Sequence, residues 1–90
     1  MARSKINLRP EYGGKQSITF NSNGVAALND ANIKAGDIIV LQKVKAEYGL
    51  GISLTCGNVI NGTAYIYGIE FDGSPYSGTR EINYIGYHTT

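Results

Sequence analysis

Apolar and polar residues alternate with a period of two along much of this chain, and that period predicts β-strands whose successive side chains point to opposite faces. Lys15 to Phe20 alternates with Ile18 and Phe20 on one face. Asp37 to Lys45 concentrates β-branched residues at its start and charge at its end, which suits a strand. Ile52, Leu54 and Cys56 alternate with Ser53 and Thr55. Further on, Tyr65, Tyr67, Ile69 and Phe71 fall on one face and Ala64, Ile66, Gly68 and Glu70 on the other. That segment is apolar on both sides near its start, as expected of a central strand or of one whose outer face meets another subunit. Thr79 to Tyr87 returns as the last strand.

Turn chemistry divides these runs. Asn61-Gly62 predicts a two-residue type I′ hairpin joining Ile52–Ile60 to Thr63–Asp72, and Gly68 suggests a bulge or bend. Asn21-Ser22-Asn23-Gly24 offers helix caps, and Val25 to Asp30, with Ala26, Ala27 and Leu28, predicts a helix of one or two turns. Val25 and Leu28, three apart, would share the face that plugs one end of the fold. Lys34-Ala35-Gly36-Asp37 is a corner before a strand, and Asp72 to Gly78 a long exposed turn. Residues 1–14 read as a flexible arm, in which Lys5 to Leu8 can add to a sheet edge, Pro10 stops the strand and Gly13-Gly14 is the hinge. Residues 15–90 form a single domain. The predicted architecture is all-β, a small antiparallel barrel or sandwich of five to seven strands with one short helix.

Composition narrows the class. Ninety residues allow one domain with a modest core. The single cysteine rules out an intrachain disulfide framework. The N-terminal residues lack the apolar run of a signal peptide and no segment approaches the length needed to span a bilayer, so export and membrane insertion are not expected. Net charge is +1, unevenly placed: residues 1–45 hold seven Lys or Arg against three acids, residues 46–90 one against four. A basic arm facing an acidic surface of a neighbour would use that asymmetry. The overall excess is too small for a nucleic-acid signature.

Candidate chemistry is sparse. Cys56 and His88 are the one conceivable thiol–imidazole pair, but Cys56 sits in an apolar alternation and His88 close to a terminus, so neither is expected to catalyse. One Cys and one His make no structural zinc site, and the carboxylates lack calcium-loop spacing. Asp72-Gly73-Ser74 is accounted for by a turn, and no glycine motif stands in the context a dinucleotide needs. The expectation is a protein without cofactor, metal or catalytic residues.

Five of the seven tyrosines, Tyr65, Tyr67, Tyr76, Tyr84 and Tyr87, lie in the last 26 residues, and tryptophan is absent. Tyrosine combines an apolar ring with a polar tip, which suits either a half-exposed sheet or an interface. A base-stacking platform would need Lys and Arg interleaved with the rings, and Arg80 is alone in this stretch. A short chain with a flexible basic N-terminal arm, one small helix, an Asn- and Gly-rich β body, one cysteine and no catalytic inventory resembles the small structural proteins of tailed-phage virions, especially capsid decoration or cement proteins. That resemblance implies a virion protein made in the host cytoplasm, assembling as trimers and reinforcing the major capsid protein shell. Arg3, Lys5, Ile6, Leu8 and Arg9 would then dock the arm, and the tyrosine strands would make the subunit or shell contacts. The alternative is a small β-barrel module that binds single-stranded nucleic acid or a peptide.

Overall fold

The structure is a computed structural model, and it describes residues 9–43 and 51–89. Six antiparallel strands form two three-stranded sheets: β1 (Tyr12–Phe20), β2 (Val25–Asn29), β3 (Ile38–Lys43), β4 (Ser53–Ile60), β5 (Thr63–Ile69) and β6 (Gly78–Tyr87). The first sheet has the order β1-β6-β3 and the second β2-β5-β4. Their inner faces meet over a core in which Phe20, Leu28, Ile33, Ile66 and Ile82 are almost wholly buried. Each such side chain stabilises the fold by about 1.5–3 kcal/mol relative to leaving it in water.

The fold is a sandwich, not a closed barrel. At the seam between β1 and β2 the Gln16 amide donates to the Asn29 carbonyl at 2.8 Å, where a barrel would have a backbone ladder. At the other seam the Lys43 ammonium donates to the carbonyl of Ile52 at 2.7 Å. Side chains therefore bridge the sheet edges while leaving them as edges.

The expected short helix is absent, and Val25–Asn29 is β2. Ala26 and Leu28 point inward and Ala27 and Asn29 outward, a period of two. The alanines favour a helix, yet five residues cannot repay helix nucleation. β5 offers the same residues an in-register partner from Val25↔Tyr67 to Asn29↔Thr63. Asn21 forms a turn instead of a cap, its Oδ1 accepting from the N–H groups of Asn23 and Val25. Ile33 in the β2–β3 loop takes over the role of end plug.

Three other expectations change. Gly13 and Gly14 are paired residues of β1, opposite Ile85 and Tyr84, and not a hinge. The Tyr84 ring lies 3.5–3.8 Å from where a Gly14 Cβ would stand. The bulge lies between Cys56 and Val59 in β4, whereas Gly68 stays in register opposite Leu54 and leaves room for the Phe20 ring. The Asn61-Gly62 hairpin forms between Ile60 and Thr63 as expected, but Gly62 alone has positive φ, +83°, so the turn is not type I′. The Lys5–Leu8 strand and the last two residues of the expected Asp37–Lys45 strand lie outside the described residues.

Candidate functional site

Polar side chains converge at one end of the sandwich, where the β2–β3 loop crosses from one sheet to the other. Asp37 is the buried charged residue there. Its Oδ2 accepts from the Tyr12 hydroxyl at 2.7 Å, the Lys34 N–H at 3.0 Å and His88 Nδ1 at 2.9 Å. An ionised carboxylate only accepts, so the His88 proton sits on Nδ1. Burial raises the Asp37 carboxyl, and the Lys34, Tyr12 and His88 donors outweigh it, leaving the group below its ordinary value. Burial, reinforced by the Asp37 carboxylate, pushes the Tyr12 phenol up.

A second pair runs parallel to the first. The Tyr84 hydroxyl donates to Asp30 Oδ2 at 2.7 Å, and the Asn32 backbone and side chain donate to Asp30 Oδ1. These bonds, led by that of Tyr84, lower the Asp30 carboxyl; burial and Asp30 together push Tyr84 up to about 12. The same loop is tied to the β4–β5 hairpin, since Gly62 N–H donates to the Ile33 carbonyl at 2.8 Å and Ala35 N–H to Asn61 Oδ1 at 2.9 Å. Thr89 Oγ1 closes the cluster on the Gly36 carbonyl at 3.0 Å. Two carboxylates thus join β1, β6, the loop and the chain's last described residues.

Among the described residues no hydrogen bond joins the thiol and imidazole considered from the sequence, Cys56 and His88. Cys56 Sγ faces the Gly57 carbonyl at 3.9 Å, and burial pushes the thiol up, away from the reactive thiolate. Among the described residues no three His, Cys, Asp or Glu side chains converge to hold a metal ion. The arrangement can anchor strands and respond to extremes of pH.

The tyrosines singled out from the sequence do not form one surface. Tyr84 is buried in the core cluster. Tyr76 packs its ring edge-on to Phe20 at 5.4 Å, with the Arg80 guanidinium 4.9 Å above it. Tyr65 and Tyr67 point outward from the second sheet, and Tyr87 outward from the first. Arg9 is exposed just before β1, while Arg3, Lys5, Ile6 and Leu8 lie outside the described residues.

The outer faces carry apolar residues that single-strand patterning had not gathered together. On the first sheet Ile38 and Val40 of β3 stand opposite Tyr87 and Ile85 of β6. Ile38 and Val40 are 46% and 47% exposed. On the second sheet Tyr67 and Ile69 are exposed, with Phe71 just beyond at 65%. The charged strand residues Lys15, Lys43, Arg80 and Glu81 all belong to the first sheet, so among the described strands the outward tyrosines of the second have no interleaved cations. That separation is opposite to what a base-stacking platform needs.

Fold and surfaces define the chain as a two-sheet antiparallel β-sandwich with exposed apolar residues on both outer faces. Compared with protein-family models, curated proteins and solved structures, it matches none. No helix of the described residues is long and apolar enough to cross a membrane.

Proposed function

We propose that this chain is a structural protein of the capsid-decoration kind, which binds an assembled protein shell and stabilises it. The observation that carries this reading is the exposed apolar corner of the first sheet, Ile38, Val40 and Ile85, with half-buried Tyr87 beside them. It lies at the end where the chain enters β1 next to β6, with Glu11 N–H on the Gly86 carbonyl at 2.8 Å. A basic arm and an apolar patch at one end can engage one partner together. Binding to the assembled shell and not to its separated subunits stabilises the shell by mass action.

The test is co-sedimentation of the purified full chain with assembled shells that lack it. Saturable binding is expected, and Val40→Lys should weaken it by about tenfold or more, as loss of a central apolar contact does. A wild-type chain that stays in the supernatant, or a V40K chain that binds as well as wild type, refutes the reading.

A further inference from the structure

None of the 5, 8 and 7 residues of β2, β4 and β5 is charged. The solvated face of a sheet is ordinarily polar; here Ile60, Tyr67 and Ile69 are exposed among the uncharged Asn29, Ser53 and Thr55, so the face offers apolar area with no charge to desolvate. We propose that the outer face of the second sheet packs on the same face of another copy, forming a two-fold dimer. This goes beyond the shell reading and concerns the opposite side of the sandwich.

Charge and geometry select a second copy. In an isologous contact every residue meets its own surface again, so a charged face sets like charges against each other. An uncharged face avoids that cost. The ends of the face are complementary in sign: exposed Glu70 and Asp72 follow β5, and exposed Lys34 lies beside the Asn61-Gly62 turn that precedes it. A two-fold axis across the strands runs the two β5 strands antiparallel. It places Tyr65 of one copy against Tyr67 of the other and sets the acidic end of each copy at the same end of the dimer as the other copy's Lys34. Three strands about 4.8 Å apart and up to eight residues long cover roughly 15 by 25 Å. Counted over both copies, with side-chain relief and Phe71, this approaches the total of about 1,000 Å² at the lower end of specific interfaces. Lateral pairing is disfavoured, because the bulge kinks β4 and Gln16 occupies the backbone of Asn29 on β2.

Light scattering after size exclusion, on the full chain over a concentration series, tests this. Twice the chain mass is expected. Thr55 and Ala27 are exposed on this face, opposite Tyr67 and Tyr65. Thr55→Lys and Ala27→Lys should each return the mass to that of one chain with an unchanged far-ultraviolet dichroism spectrum. Thr79→Lys, on the outer face of the first sheet, should leave it doubled. Mixing Thr55→Lys with Thr55→Glu chains should restore the doubled mass, an outcome that misfolded variants could not produce. A wild-type chain at single mass throughout, a trimer or larger ring, or a doubled mass for T55K overturns the proposal. Because no shell is present, failure here is separate from failure of the decoration reading.

Discussion

Asp37 shows how much one carboxylate can organise. Replacing it with alanine leaves the Tyr12 hydroxyl, the Lys34 N–H and His88 without their acceptor. Orphaned buried donors make this substitution cost about 2–4 kcal/mol. For a chain of this size the midpoint of thermal unfolding should fall by roughly 10–25 °C. The carboxyls of Asp37 and Asp30 are held below their unfolded values. They therefore contribute stability that is present above the ordinary carboxylate range and lost as pH falls through their folded values. Denaturant unfolding measured against pH should show this acid loss, reduced in Asp37→Asn and Asp30→Asn. The phenols of Tyr12 and Tyr84 are raised, so their contribution is complete below about pH 10 and is lost as pH rises further. Tyrosinate absorbance should show a delayed component that Tyr12→Phe and Tyr84→Phe each diminish.

At the scale of the element, β2 is where local preference and tertiary pairing conflict. If Val25–Asn29 is held as a strand, then Ala27→Thr on its exposed face should be neutral or stabilise by up to about 0.5 kcal/mol, since threonine suits a pleated surface. In a helix the same change would destabilise by a similar amount. Urea unfolding distinguishes the two by the sign of the midpoint shift. Close glycine–tyrosine approaches recur between strands. The Tyr12 ring covers Gly86 directly across the β1–β6 ladder, and the Tyr67 ring covers Gly57 at the β4 bulge. A methyl group at either glycine would have to displace a ring. Gly24 is different in kind: its φ is +76°, and a Cβ would stand 2.7 Å from the Gly68 carbonyl oxygen. That tight corner carries the chain from the first sheet to the second.

For the molecule as a whole, β1 begins at Tyr12, so residues 12–14, which glycine placement assigned to the arm, belong to the first sheet. Deleting residues 1–9 keeps β1 and the Tyr12–Asp37 bond, so the domain should fold with a nearly unchanged melting midpoint. Deleting residues 1–14 removes Tyr12 from the core and three pairs from the β1–β6 ladder. Loss of an aromatic core side chain alone costs about 3–5 kcal/mol, much of a small domain's stability. Circular dichroism melts of the two truncations should separate clearly. On the shell reading, the shorter deletion should also weaken co-sedimentation while leaving the fold intact.

Period-two alternation determined most of the architecture directly. The strands over Lys15–Phe20, Asp37–Lys45, Ile52–Ile60, Thr63–Asp72 and Thr79–Tyr87 each overlap an observed strand, and the two-residue hairpin lies between Ile60 and Thr63. Such patterns are legible because half of each strand must face the core, whatever its neighbours. The grouping of Tyr65, Tyr67 and Ile69 on one face was legible for the same reason, and sheet packing made that face the outer one. Only the tertiary structure decided that Val25–Asn29 is a strand, because the hydrogen bonds that outweigh its helical preference come from β5, more than thirty residues away. It also decided which tyrosines are surface and which are core. The hydroxyls of Tyr12 and Tyr84 find their carboxylates across 25 and 54 residues, a pairing that no local pattern records. The gathering of every strand charge into one sheet is likewise a property of strand order, and it follows from which strands pair rather than from any one strand's composition.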